Sequence, residues 1–575
     1  FRESCLSLTM RQLPICSSDF AKIRRNGLYY VDKSLLIRDV IDAAEVCLIT
    51  RPRRFGKTLN LSTLRYFYTL EGDYRDCFEG LAIMQAGARY LRHLGQHPVI
   101  YLSLKGVGQP RWEDTVVKIR EQITALCDQF AYLADWPEAN RRTRQLFERA
   151  YAEDAPLSQL SSVLQILSEA LHRYHQQPVV ILIDEYDAPV VQAYLHGYYA
   201  EMIEFLRSFL GEGLKDNPHL EQGVLTGIMR VAKESIFSGL NNLDVFTVLT
   251  DDLNQHFGFT IPEVEQMIAD AGMNGQELAD IHSWYNGYQI GGETLFNPWS
   301  ILQYLDKPQQ GLRSYWGETS HNNLLKRLFF GKGANIEAQL ETLIRGESLR
   351  KTISSALIYP ELDHNPEAVW SLLLSAGYLK AYDHQKDATG VFDTYALAIP
   401  NREIYGVYLE KIREWVRERT DQEQLQDLFD SIRTCDAYRF EEALAHFALR
   451  IFSYHDTAQP EPEKFYHAFI LGLLANLSGE YEISSNREQG FGRYDILLRP
   501  ADRSRAAIVL ELKSPRVRRG ETVADALADA VAQLRQKRYD AGLHEAGYTQ
   551  VAQWAVGVYG KELLIEEIET PGHGS

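Results

Sequence analysis

The hydrophobic pattern divides the chain into two α/β regions separated by a helical middle. Residues 45–50, EVCLIT, are a short apolar run. The polar RPRRFGKT follows, and then the apolar-periodic LNLSTLRYFYTL. That order predicts strand, loop and helix. PVIYLSL (98–104), PVVILIDEYD (178–187) and VLTGI (224–228) are further short runs, apolar at consecutive positions. Continuous rather than alternating hydrophobicity predicts strands buried on both faces, as in a parallel sheet covered by helices. Residues 113–175 read as helices with a polar interruption around 135–142. Upstream, Asn26-Gly27 is a turn signal, and the LYYV behind it predicts a strand.

The character changes after residue 250. Residues 252–330 read as helical and rich in aromatics: WYNGY (284–288), FNPWS (296–300) and Tyr315-Trp316. These blocks are expected in packing rather than as platforms for bases. VWSLLLSAGYLKAY (369–382), TYALAIP (394–400) and a helix from Asn401 follow the order of a winged helix, with an ordinary helical subdomain as the other reading. Residues 403–450 are charged and helical, and YHDTAQPEPE (454–463) reads as a linker because of its two prolines. A second α/β unit fills 464–570. The expected domains are therefore 10–250 (P-loop, AAA-like), 251–335 (helical lid), 336–410 (winged-helix-like), 411–460 (helical connector) and 461–575 (nuclease-like). No internal repeat is visible.

Composition narrows the classes. With 575 residues, 45% hydrophobic and 11% aromatic, the chain has ample material for several cores and is not a disordered one. Six scattered cysteines without a CxxC pair make no disulfide framework, and a cytoplasmic location suits them. No apolar stretch is long enough to span a bilayer, so no membrane partner is expected. The opening FRESCLSLTM lacks the build of a signal peptide, and Met10 begins a more protein-like segment, so residues 1–9 read either as native or as an upstream extension. The formal charge of −18 excludes a uniformly basic nucleic-acid coat. Local counts differ. Lys22 to Arg65 holds ten basic and four acidic side chains, and residues 461–575 hold 14 basic and 17 acidic ones. Confined positive clefts facing phosphates remain compatible with that distribution.

Two constellations carry chemistry. Arg51-Pro-Arg-Arg-Phe-Gly-Lys57-Thr58 lies between strand and helix, where backbone amides and a helix N-terminus cradle phosphates. Arg54, Phe55, Gly56, Lys57 and Thr58 are the expected nucleotide contacts, a Walker A loop with Arg51 at the usual first glycine. Lys57 would neutralise the β/γ-phosphates and Thr58 would ligate Mg²⁺. ILID184-E185 ends an apolar strand in two acids, as a Walker B motif does: Asp184 would hold Mg²⁺ and Glu185 would orient or deprotonate the attacking water. Thr226, at the next strand end, could sense the γ-phosphate, and Arg230 could reach a nucleotide in the same or another subunit. The second constellation is Asp495, fifteen intervening residues, then Glu511-Leu-Lys513. Period two places Glu511 and Lys513 on one strand face. Asp495 and Glu511 on adjacent strands would make an oxygen-ligand site for Mg²⁺ or Mn²⁺, with Lys513 balancing charge or orienting water. Glu488 and Glu463 are candidate third carboxylates, and His467 reads as a polar residue at a helix rim.

SDFAKIRRNGLYYVDKS, RPRRFGKTLNLSTL, LIDEYDAPV and GIMRVAKESIFSGLNNL, with the later WYNGY, FNPWS, GYL and IPNRE, resemble the bacterial and archaeal AAA-ATPase-like proteins. These usually carry a C-terminal domain of the PD-(D/E)XK nuclease superfamily. Arg in place of the first loop glycine is itself typical of that family. The helix DAVAQLRQKRYDAG, with Gln533 and Lys537 at i, i+4, resembles the supporting QxxxY-like motif of such nucleases and makes Gln533 a further catalytic candidate. The resemblance implies ATP and Mg²⁺ as cofactors and nucleic acid as partner, DNA rather than RNA, with a nucleotide-dependent homo-oligomer as a further expectation. The leading reading is an ATP-controlled, Mg²⁺-dependent DNA-cleaving enzyme. The alternatives are an ATP-switched binding protein with a degenerate nuclease fold, and a regulatory ATPase whose nucleotide state controls assembly.

Overall fold

The computed structural model describes residues 11–568 with internal exceptions, the longest being 318–338 and 452–465. The chain forms two compact units: Phe1–Thr319 with Arg350–Glu403, and Ser320–Leu349 with Ile404–Ser575.

The first unit is built on a parallel sheet of β1 (Val46–Thr50), β2 (Val99–Ser103), β3 (Val179–Asp184), β4 (Leu220–Gly227) and β5 (Leu243–Phe246), in the order β2-β3-β4-β1-β5. β1 and β3 are buried at every position, which explains their uninterrupted apolar runs. Helices Lys57–Tyr68, Trp112–Gln129, Val163–His175 and Tyr199–Leu214 lie between the strands in sequence. The LYYV segment (28–31) is not a strand. Helix Phe20–Arg25 precedes it, and Tyr29 makes a single backbone bond from its amide to the Gln12 carbonyl. Its side chains are spent on packing instead: Tyr30 meets the Phe20 ring and Tyr29 donates to Asp270.

Two small sheets complete this unit. β6 (Phe259–Thr260), β7 (Tyr288–Ile290) and β8 (Glu293–Phe296) pair as β6-β8-β7. Thr260 then starts helix Ile261–Asp270 through a reciprocal capping box with Glu263. β9 (Leu349–Thr352), β10 (Lys380–Lys386) and β11 (Asp393–Ala398) pair as β10-β11-β9, with helix Ala368–Ala376 ahead of β10 and helix Arg402–Arg419 after β11.

The second unit has a mixed sheet. β12 (Tyr481–Ser485), β15 (Ile496–Pro500), β16 (Ala507–Lys513), β17 (Val551–Tyr559) and β18 (Glu562–Ile568) run in that order, with a small hairpin of β13 (Glu488–Gln489) and β14 (Gly492–Arg493). β16 and β17 are parallel and joined by helix Val523–Lys537; the other pairs are antiparallel. The segment expected as a connector packs into this unit. Phe440 meets Trp554 at 5.2 Å, the Ile565 amide donates to Glu441, and Arg433 pairs with Glu480. Among the described residues no helix is long and apolar enough to cross a membrane.

Arg51 ties the sheet of the first unit together. Its guanidinium is fully buried at the end of β1 and donates to the carbonyls of Thr50, Phe246 and Thr247, each at 2.9 Å. Burial pushes its pKa down to about 9, so it stays charged at neutral pH. Its backbone is not left-handed, so no glycine is required at this position. The side chain joins the loop after β1 to the end of β5. Arg51→Gly, which restores the general loop motif, removes this buried brace and leaves the Phe246 and Thr247 carbonyls only their bonds from Thr50 and Thr250. The expected loss is about 3 kcal/mol or more in urea unfolding, seen as a lower midpoint in the transition of this unit.

Candidate functional site

The phosphate loop leaves the end of β1 and closes on the first turn of helix Lys57–Tyr68. Gly56 has φ +82°, a left-handed conformation in which a side chain is strained, and it turns the chain into the helix. Arg54 is also left-handed, at φ +67°. Lys57 is buried and donates to the Arg51 and Pro52 carbonyls at 2.9 and 2.8 Å. Burial pushes its pKa down to about 8, opposed by the charges of Asp187, Glu185 and Asp184. Thr58 Oγ1 donates to Asp184 Oδ2 at 2.7 Å, and Thr226 Oγ1 donates to Oδ1 at 2.5 Å. The acid that ends β3 is therefore held by hydroxyls from the loop helix and from β4. In this state Thr226 orients Asp184. Thr58 and Asp184 are the oxygen pair that Mg²⁺ would take, and their direct contact suits a small hard cation.

The rest of the LIDEYD motif shapes the turn after β4. Glu185 has φ +52°, an uncommon conformation for a carboxylate residue and one often kept at working sites. Asp187 is buried and accepts from the amides of Ile228 and Met229 at 2.9 and 3.0 Å. Tyr186 donates to the Met229 carbonyl and accepts from the Val231 amide. Together they fix the turn that carries Arg230, a half-buried side chain whose Nε has no hydrogen-bond partner among the described residues. Sequence reasoning missed Tyr186 and Asp187, although their place behind the acidic pair was a usable signal.

The aromatic blocks converge on the loop from above. Phe55, an expected nucleotide contact, has its ring fully buried against Tyr288 at 5.0 Å and against Gly258, so only its backbone is available to phosphate. Arg54 lies 4.3 Å over the Trp299 ring. Asn297 caps helix Pro298–Asp306 and also donates to the Arg53 carbonyl, as does Trp316 Nε1. Glu403, from IPNRE, accepts from Ser300 Oγ and from the Trp316 amide at 2.8 Å, and burial pushes its pKa up to about 7. None of Asn297, Trp299, Trp316 or Glu403 had been expected near the phosphates.

In the second unit Asp495 precedes β15 and Glu511 sits in β16, whose register pairs Ile496 with Leu510. Asp495 Oδ2 accepts from the Leu512 amide at 2.8 Å. Lys513 Nζ lies 3.2 Å from Glu511 Oε1 and 4.0 Å from Asp495 Oδ2. Glu511 is 1% exposed, and its Oε2 has no hydrogen-bond partner among the described residues. Burial first, and the Asp495 charge second, push its pKa up to about 7. A buried carboxylate oxygen without a donor, beside a second carboxylate, fits a divalent cation better than any neutral neighbour would. Gln533 hydrogen-bonds Tyr539, and Lys537 lies close enough to act on Glu511 electrostatically. Gln533 therefore touches Tyr539 next to the acids. His467 is not at a rim: it is fully buried, and its Nε2 donates to the Asp495 carbonyl at 2.9 Å. It fixes the main chain that carries the first acid. Glu463 lies outside the described residues, as does part of the Gly490–Gly492 turn.

Comparison with known proteins agrees with both halves. Residues 14–237 match the AAA-ATPase-like family, described as predicted AAA-ATPase, and residues 461–568 match the PD-(D/E)XK nuclease superfamily. The chain carries an AAA-ATPase-like domain and a PD-(D/E)XK nuclease-superfamily domain. The parallel sheet belongs to the first and the mixed sheet to the second. The uncharacterized protein in the vnfD 5′ region of Azotobacter chroococcum mcd 1 is 29% identical over 400 residues, which are 69% of each chain. Among solved structures, a STAND ATPase with a tetratricopeptide repeat sensor from Pyrococcus horikoshii aligns over 78% of this chain and 54% of its own, at 12% identity and a TM-score of 0.24. The ORC2 protein of Aeropyrum pernix, in ADPNP–ADP complexes, aligns over 66% of this chain and 93% of its own, at 13% identity and a TM-score of 0.27.

Two predictions arise from this geometry. A Cβ at Gly227 would lie 2.7 Å from the Tyr186 ring and 2.8 Å from Asp187 Oδ1, so the AAA-ATPase-like domain carrying Gly227→Ala should lose nucleotide affinity at least tenfold, read by titration with a fluorescent ATP analogue. For the nuclease-superfamily domain, the folded protein holds a proton on Glu511 up to pH about 7, whereas the unfolded chain releases it near the ordinary value of 4.5. Stability that this group contributes at low pH is therefore lost as pH rises toward 7. In chelator, Glu511→Gln should be more stable than the parent at pH 8 by roughly 1–3 kcal/mol, with the gap closing toward pH 5. A gap that ignores pH in urea titrations would contradict this.

Proposed function

We propose that the protein binds and hydrolyses ATP in its first unit and cleaves nucleic-acid phosphodiester bonds, DNA in preference to RNA, in its second. The observation that carries this reading is the buried Glu511 oxygen, unpartnered among the described residues, beside Asp495 and Lys513. A carboxylate kept at 1% exposure, with one oxygen lacking a donor among the described residues, is costly unless a cation completes it. When bound there, Mg²⁺ or Mn²⁺ supplies an acidified water and stabilises charge on the phosphate. Asp495 and Glu511 would hold the ion, Lys513 would orient the water or balance the developing charge, and Gln533 would support the pair through Tyr539. In the first unit Lys57 would meet the β- and γ-phosphates, Thr58 and Asp184 would hold Mg²⁺, and Glu185 would orient the attacking water. Arg54 and Gly56 line the phosphates, and Arg230 reaches the nucleotide from the turn after β4. Nucleotide-dependent self-assembly in the cytoplasm completes the reading.

The test is cleavage of plasmid, linear, single-stranded and branched DNA, and of RNA, with Mg²⁺ or Mn²⁺ and with ATP titrated. Glu511→Gln should lower cleavage at least a hundredfold while the exposed control Glu562→Gln does not. Lys57→Ala should abolish ATP turnover without removing the metal-dependent step. No cleavage of any substrate with either metal would overturn the enzymatic reading of the second unit and leave a binding module in its place.

A further inference from the structure

Three side chains at the other end of the parallel sheet have no part in the nucleotide chemistry. His93 and His97 lie in the segment before β2, and Glu221 is the second residue of β4. Asp184 and Thr226 sit near the C-terminal ends of their strands, whereas this cluster sits by the N-terminal ends. His93 Nδ1 is 3.0 Å from His97 Nε2 and 3.5 Å from Glu221 Oε1, and the three ligand atoms all lie within 4.8 Å of one another. Tetrahedral bonds of about 2.0–2.1 Å place ligand atoms about 3.3 Å apart, so little movement would close these three on one ion. The two rings are 7% and 4% exposed, and Glu221 keeps a path to solvent.

We propose that His93, His97 and Glu221 form a binding site for a divalent transition-metal ion of the zinc class. The surroundings support it from three directions. His97 Nδ1 donates to the Pro178 carbonyl at 3.0 Å, which leaves Nε2 as the lone-pair nitrogen facing the cluster and orients the ring as outer-shell partners do at metal sites. Tyr68 is 1% exposed, and its hydroxyl has no hydrogen-bond partner among the described residues and is close enough to Glu221 to feel its charge. Its ring lies edge-on to both imidazoles, which keeps Tyr68 beside the cluster. Tyr68 also ends the helix that begins at Lys57, and the negative end of a helix dipole favours a cation. Backbone bonds from Gly95 to Phe67 and from His97 to Tyr68 hold the histidine loop against that end.

Without the ion, His93 Nε2 accepts from Arg92 at 3.2 Å and its Nδ1 proton points to His97. Binding moves that proton to Nε2, and the exposed Arg92 side chain swings away; no net proton is released. Two imidazoles and one carboxylate favour zinc-class ions over Mg²⁺, which takes oxygen ligands. The site would pin the histidine loop, the start of β4 and the far end of the phosphate-loop helix.

The probe is Co²⁺ added to the full-length, chelator-stripped chain. Low-coordinate, nitrogen-bound Co²⁺ gives visible bands much stronger than those of an octahedral all-oxygen site. The expected result is a band that saturates at one equivalent, is lost in His93→Asn, weakens at least tenfold in apparent affinity in Glu221→Gln and persists in Glu511→Gln. Glu221 is partly exposed, so its variant keeps the fold, and circular dichroism checks both. No band in the parent, a band unchanged in both His93→Asn and Glu221→Gln, or one lost in Glu511→Gln would overturn the site.

Discussion

A carboxylate at or near the end of a fully buried strand is the constraint around which both units are organised. β3 ends in Asp184 after five apolar positions, and β16 carries Glu511 between Leu510 and Leu512. An acid drawn into such a strand loses its hydration, and the protein has to replace it. The two units do this differently. Asp184 receives two hydroxyl donors, and its neighbours Thr58 and Thr226 thereby bind the loop helix to β4. Glu511 receives one lysine, at 3.2 Å, and keeps an oxygen with no donor among the described residues. The first acid meets a donor at each oxygen; the second meets a donor at one.

Around the first acid, distant segments take on the work of the phosphate loop. Arg51 replaces conformational freedom with a buried brace to β5. Asn297 and Trp316 hold the Arg53 carbonyl, and Glu403 fixes Trp316 in turn. The added Cβ of a residue at 377 would come within 2.8 Å of Pro52, so the turn after helix Ala368–Ala376 also packs on the loop. The loop is thus supported by three separate stretches of chain. A change at Glu403, far from the loop in sequence, would reach the Arg53 carbonyl through Trp316.

The parallel sheet was legible because its strands are buried on both faces and leave an unbroken apolar signature. The two chemical constellations were legible because each is a short local pattern at a strand end. The LYYV segment misled because a run of aromatic and β-branched residues marks an extended chain but cannot say whether a partner edge exists. His467 was misplaced for a related reason. A histidine on a helix has no local feature that separates a rim from a buried contact with the Asp495 carbonyl.

The sequence by itself determined the element order, the phosphate loop, the acids at the strand ends and the D-x15-ExK spacing, since these depend on neighbours in the chain. Tertiary structure alone decided which donors each acid finds, where Arg51 and Phe55 bury their side chains, and that His93, His97 and Glu221 come within reach of one another. Those outcomes depend on sheet order, which brings β4 beside β1 and β3, and no local pattern encodes the distance between residues a hundred or more positions apart.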